Sequence, residues 1–252
     1  MRRFVSLFLI IGASLSLSAA TLSDVKILEA SKSIKYLTQN IAKNYLYAYI
    51  YPNQSNIAQV KVQKSIQNLE EDMRTIALNT KKEKIKGILD FFAYEKEQIK
   101  TLLKEKPTAA SANEVLDFSE ALTEGAEKIA TSVTYDFSFE DKMFLRSKNI
   151  EYLVEKLAMY YMVLKSNINK ATIDEKLKQT IAVTEKDMDT IQQYTYPKEL
   201  NTKKSEVFKL WSANKHYFEI MSSLKVPSIV ILSTNGMQNI LDQFAIHHAR
   251  GE

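Results

Sequence analysis

Residues 70–76 read EEDMRTI and residues 185–191 read EKDMDTI: five of seven positions are identical at a separation of 115. The fold turns on whether this is coincidence or one trace of a module written twice. Upstream of the first copy, Ile27, Ala30, Ile34, Leu37, Ile41, Tyr45 and Ala48 follow the three-four spacing of one helix face. Upstream of the second copy the same spacing returns in Met143, Ile150, Leu153, Leu157, Tyr160, Tyr161 and Leu164. A shift of 116 lays Ile34 on Ile150, Tyr36 on Tyr152, Leu37 on Leu153, Ala42 on Ala158 and Tyr45 on Tyr161.

The match continues downstream. With a shift of 115, Val62, Ile66, Leu69, Met73 and Ile76 fall on Leu177, Ile181, Thr184, Met188 and Ile191. The one-residue change belongs in a loop, where length varies most easily. A shift of 119 puts Leu89 on Phe208, Phe92 on Trp211, Ile99 on Phe218 and Leu102 on Met221. The last segment matches least well, with Val115, Phe118, Leu122 and Ala126 set against Ile229, Leu232, Gly236 and Ile240.

Punctuation gives the same count. Glycine and proline are scarce, with 5 and 4 in 252 residues, so elements are long, and their period is helical. Four capping boxes are expected, pairing Thr80 with Glu83, Ser111 with Glu114, Ser138 with Asp141 and Thr172 with Glu175. Helices are predicted over 22–51, 55–79, 82–105, 111–135, 139–167, 172–195, 201–224 and 228–249. No glycine or proline falls between Gly125 and Pro197, so the fourth and fifth helices could fuse into one rod, against which Ser138 argues. The expected fold is all-α: two tandem up-and-down four-helix bundles, over 21–137 and 138–252.

Residues 1–20, MRRFVSLFLIIGASLSLSAA, read as a secretory signal peptide, with two arginines, an apolar run from Phe4 to Leu17, and Ser18 and Ala20 flanking a cleavage site. The run is shorter than the roughly 20 apolar residues of a membrane-spanning helix. Cleavage leaves about 232 residues and takes the formal charge from +4 to +2. The expected product is periplasmic, has no transmembrane segment and has no electrostatic basis for a nucleic-acid partner. The absence of cysteine excludes disulfides, thiolate metal sites and covalent haem.

No catalytic signature is present, neither G-x-S-x-G, H-E-x-x-H nor a glycine-rich phosphate loop, so an enzyme is not expected. Nor is a metal or other cofactor. His216, His247 and His248 do not follow a Glu by three residues as in di-iron bundles, and Met73 and Met188 sit at core register. In NYLYAYIYP, Tyr45 and Tyr49 are expected to pack while Tyr47 and Tyr51 cover a bundle end.

In the first helix, KYLTQNIAKNYL from Lys35 to Leu46 resembles the opening helix of the PilJ and NarX type sensory domain, a periplasmic four-helix bundle. That module opens type IV pilus chemotaxis transducers and nitrate-sensing kinases, with a signature of roughly R-M-L-S-Q-R-I-A-K. Leu37, Gln39, Ile41, Ala42 and Lys43 match it; Lys35, Tyr36, Thr38 and Asn40 depart from it. The resemblance implies a ligand-binding role for Lys35 and Gln39, one helical turn apart. In nitrate-sensing relatives the signature Arg of two protomers converges on an anion between paired first helices. Lys offers a compact charge in place of the planar guanidinium fork. At the shift of 116, Lys35 and Gln39 correspond to Glu151 and Glu155, which are expected as internal counter-charges, with Lys35 facing Glu151. Nitrate is then not expected to bind.

No kinase or methyl-accepting segment is legible before Glu252. The expectation is a sensory-type module that binds a small ligand or docks on a periplasmic or membrane signalling protein. The alternative is a structural or adaptor helical bundle with no small-molecule ligand. Polar residues turned inward would favour the first, and a wholly apolar interior the second.

Overall fold

A computed structural model describes residues 22–134, 136–166, 168, 172–219 and 227–250. The expected signal peptide over 1–20 lies outside them. The chain is all-α. Among the described residues the helices are α1 (Leu22–Ile50), α2 (Ser55–Asn79), α3 (Glu83–Leu102), α4 (Ala109–Thr131), α5 (Phe139–Ser166), α6 (Ile173–Gln193), α7 (Lys198–Glu219) and α8 (Pro227–Arg250). A 3₁₀ turn, Pro52–Gln54, links α1 to α2. No helix among the described residues is long and apolar enough to cross a membrane.

The expected caps hold in part. Ser138 and Asp141 form the reciprocal box, with Ser138 N donating to Asp141 Oδ2 at 2.9 Å and Asp141 N to Ser138 Oγ at 3.1 Å. This cap makes α5 a separate helix and divides the rod that the sequence left open. At α4 the box sits one turn earlier than expected: extended Thr108, just after Pro107, caps the amide of Ser111 at 3.1 Å. Ser111 Oγ in turn accepts from Thr108 N at 2.9 Å, so Ser111 is the third helical residue rather than the cap. α3 starts after Lys82 and α6 after Thr172, neither with a side-chain cap bond.

α1 packs on α2 and α4, and α3 on α2 and α4, closing a ring of four; α5 to α8 close a second ring in the same order. The rings join where α1 packs along α5. The two helices run in the same direction. Val25 and Leu28 lie beside Phe144 and Leu145 at one end, Lys35 Nζ lies 4.5 Å from the Tyr152 ring centre, and Gln39 shares a cavity with Met159 and Tyr160. Being central, both helices are buried nearly all round; Ile34, Ala42, Tyr45, Ile150, Ala158 and Tyr161 are in the core.

Buried positions also correct one register. Ile229 and Leu232 are 49% and 74% exposed, so they cannot be equivalents of buried Val115 and half-buried Phe118. A shift of 115 instead places Val115, Ser119, Leu122, Ala126 and Ile129 on Val230, Thr234, Met237, Leu241 and Phe244, all ten buried. Neighbouring helix positions point about 100° apart, so a one-residue slip turns a core residue outward. The third-helix expectation stands in the core, where Phe92, Trp211, Ile99 and Phe218 are buried.

Gly125 on α4 lets α3 approach: a Cβ there would lie 2.3 Å from Phe92 Cε1. Of the tyrosines ending α1, Tyr45 is in the core, whereas Tyr47, Tyr49 and Tyr51 are half-buried.

Candidate functional site

All four residues singled out in the sequence are buried: Lys35, Gln39, Glu151 and Glu155. The structure does not bring Lys35 to Glu151. Lys35 Nζ pairs with Glu127 Oε2 of α4 at 2.5 Å, and against the upward push of burial this ammonium holds the Glu127 carboxyl below its usual range. Glu151 pairs with Lys148 one turn back at 3.2 Å, and Lys148 also reaches Asp242 of α8 at 2.5 Å. Burial, opposed by Lys148, pushes Glu151 up to about 7. The correction has a geometric reason. Equivalent side chains on two paired helices meet only where the helices touch; Lys35 is turned toward α4 and Glu151 toward α8.

Glu155 is a counter-charge, but to Lys43 rather than Lys35. Lys43 Nζ lies 2.6 Å from Glu155 Oε1, with both side chains almost wholly inaccessible. Asn40 Nδ2 donates to the same oxygen at 2.7 Å, and Gln238 Nε2 of α8 donates to Oε2 at 2.6 Å. A buried carboxylate is tolerable when paired and hydrogen-bonded in this way. Sequence reasoning took Lys43 only as a signature match and missed this role.

Gln39 occupies the matching place on α1, and its surroundings differ residue by residue. Where Glu155 meets Lys43, Asn40 and Gln238, the positions matched to these by the shifts of 116 and 115 are Met159, Lys156 and Thr123. All three line a cavity of about 160 Å³ together with Gln39, Ser119 and Tyr160.

The local hydrogen bonds set the Gln39 amide. Ser119 Oγ donates to Thr38 O at 2.9 Å and Thr123 Oγ1 donates to Ser119 O at 2.7 Å, which commits both hydroxyl protons. These hydroxyls can then only accept, so Gln39 must offer them its NH₂ group, at 2.9 Å to Thr123 and 3.4 Å to Ser119. The amide oxygen, Oε1, is left buried with no donor among the described residues. An unpartnered buried acceptor costs about 1–3 kcal/mol.

Lys156 is half-buried, with its ammonium 5.6 and 5.7 Å from the Tyr152 and Tyr160 ring centres. Burial, with Lys35 and Lys176 nearby, lowers its pKa from the usual lysine value. Glu120 on the cavity wall, itself paired with Lys176 at 3.1 Å, opposes that lowering from beyond ion-pair distance. Lys156 and Lys176 carried no signal in the sequence, and Tyr160 only that of an apolar helix face, because the motif that points to Gln39 lies on another helix.

The opening pair of motifs shows the same asymmetry. Asp187 of EKDMDTI receives Arg146 at 2.7 Å and Asn149 at 2.8 Å. At the shift of 116 these two positions are Ala30 and Ser33, and Asp72 of EEDMRTI keeps Oδ2 buried without a partner. Asp72, Ala30 and Ser33 line an open groove of about 580 Å³ that Glu151 also borders.

Among the described residues no group of three or more His, Asp or Glu side chains is placed to hold a metal ion. Comparison with family models, with curated proteins and with solved structures gives no match.

Proposed function

We propose that this chain is an exported, periplasmic sensory-type binding module of the PilJ and NarX kind, built as a tandem duplication of an up-and-down four-helix bundle. In this reading α1 and α5 take the part of the paired first helices of two protomers, and the module captures a small polar ligand in the cavity beside Gln39. The observation that carries the reading is a cavity of about 160 Å³ lined by buried Gln39 together with Ser119, Thr123, Lys156 and Tyr160. Duplication is supported by buried positions that recur at shifts of 115 and 116 and by the parallel course of α1 and α5. Lys35 is engaged by Glu127 and Tyr152, so the ligand-binding role inferred for Lys35 and Gln39 together rests on Gln39, with Lys35 behind the site.

The adaptor alternative calls for an apolar interior. Lys35, Gln39, Lys43, Glu151, Glu155 and Gln238 are instead all buried along the α1–α5 seam, which favours a binding role.

The test is a thermal-shift screen of the exported protein with nitrate, nitrite, small carboxylates, amines and amino acids, repeated on Gln39→Leu. The expected result is silence with nitrate and a saturable rise in Tm with another small polar compound, lost in the variant. A wholly silent screen would leave the adaptor reading in its place. N-terminal sequencing of periplasmic protein is expected to show residues 1–20 removed; retention of Met1 in a membrane fraction would overturn the export assignment.

A further inference from the structure

The cavity beside Gln39 is lined by no residue of α2 or α3. α2 packs closely along α1 but only lightly against α3. Between them lie two hollows of about 430 and 460 Å³ that share Glu70 and form one groove. Its floor is apolar: Ile66 and Leu89 are buried, and Met73 and Leu103 are half-buried. Its rim is basic. Glu70 receives both Lys96 at 2.9 Å and Lys100 at 2.5 Å, and exposed Glu97 lies 3.3 Å from the same two ammonium groups. Arg74 in one hollow and Lys104 in the other stand outside that network, exposed and with no ion pair among the described residues. Four cations thus face two carboxylates, and the two unmatched cations lie at opposite ends of the groove.

The second ring shows that this charge is not needed for packing. At the shifts of 115 and 119, Glu70 and Lys96 fall on Glu185 and Lys215, which form the same ion pair at 2.5 Å. Gln63, Arg74 and Lys100 fall on Lys178, Asp189 and Glu219, so the matched positions there carry three carboxylates and two lysines. The ion pair is common to both rings, whereas the basic excess is found on the α2–α3 face and not on its counterpart.

Shape and charge together select a partner. The apolar floor is recessed below the exposed cations, so a flat lipid surface would meet the rim and miss the floor. An amphipathic helix laid between α2 and α3 reaches both. Gln63, which shares a hollow with Lys104, and Arg74 are eleven residues apart on α2, about 16 Å or three turns along the axis. We infer that the α2–α3 groove docks an acidic amphipathic helix of a partner protein, its apolar stripe on Ile66, Met73 and Leu103 and its carboxylates, about three turns apart, on Arg74 and Lys104.

Fluorescence anisotropy on the full chain tests this with synthetic amphipathic helices of about five turns. One has a leucine stripe edged by glutamates, a second has the same stripe edged by lysines, and a third keeps the glutamates but has serine in place of leucine. The first is expected to bind saturably and to weaken as salt rises. The other two are expected to bind about tenfold or more weakly. Arg74→Glu combined with Lys104→Glu is expected to cost the first peptide a similar factor, and Lys178→Glu on α6 to leave it unchanged. All three substituted residues are exposed, and circular dichroism checks that the variants fold. Failure of the first peptide to bind, or equal binding to parent and double variant, would overturn the proposal. So would binding of phosphatidylglycerol vesicles through Arg74 and Lys104 in the absence of peptide binding, which would assign the face to lipid. The groove and the cavity share no residue, so either can fail while the other stands.

Discussion

Gln39 and Glu155 stand 116 residues apart at the same place on α1 and α5. Glu155 receives Lys43, Asn40 and Gln238, whereas the amide oxygen of Gln39 receives no described donor. Two positions in the same helical register thus have different surroundings, a sealed ion pair on one side of the seam and a cavity on the other.

The sealed side should be sensitive to the loss of either charge alone. Lys43→Met leaves the Glu155 carboxylate fully buried with only two amide donors, and about 3–5 kcal/mol of stability should be lost. Combining it with Glu155→Gln removes the stranded charge and should recover most of that loss. Urea denaturation of the two single variants and the double variant measures the coupling; a loss below about 1 kcal/mol for Lys43→Met would mean that the pair does not hold the seam.

Two glycines in helices should respond with opposite sign. An alanine methyl at Gly125 would overlap Phe92, a fully buried ring with nowhere to retreat, so Gly125→Ala should destabilise by about 1–3 kcal/mol despite its better helix propensity. At Gly87 nothing lies within 4 Å of the added carbon, so Gly87→Ala should stabilise by about 0.5–1 kcal/mol. Thermal unfolding of the pair should show shifts on either side of the parent.

Asp72 should make stability depend on pH. Burial pushes its carboxyl up to about 6; the Ser33 hydrogen bond opposes this and Glu71 adds to it. In the unfolded chain the group ionises near 3.9. As pH rises from about 4 to 6, the unfolded chain releases a proton that the folded chain retains, so stability falls through that window and stays lower above it. Asp72→Asn has no such proton. It should exceed the parent by about 2 kcal/mol at pH 8, allowing for partial exposure, and match it near pH 3.5. Denaturation midpoints at the two pH values decide the matter, and a constant difference would remove Asp72 as the cause.

The third-helix register can be tested at its two largest side chains. Phe92 and Trp211 are 0% and 6% exposed, and truncation of either to Ala should cost about 3–5 kcal/mol. A loss below about 0.5 kcal/mol at Trp211 would be typical of a surface position and would contradict its packing.

Helical period and punctuation were enough to place all eight helices to within a few residues, because each helix writes its buried face into its own sequence at three-four spacing. The shared registers of α1 with α5 and α2 with α6 were legible for the same reason, and so was the equivalence of Gln39 and Glu155. Three things were decided only by tertiary structure. The α4–α8 register depends on which way each helix is turned, and exposed Ile229 and Leu232 misled a reading based on apolar residues alone. Lys35 went to Glu127 rather than Glu151 because partners across a helix pair are set by which side of the contact each residue faces. The cavity beside Gln39 exists because Met159, Lys156 and Thr123 converge from α5 and α4 on a residue of α1. Matched spacing in the chain records a shared register, and only packing brings together the differing neighbours that make a closed ion pair at Glu155 and leave a cavity at Gln39.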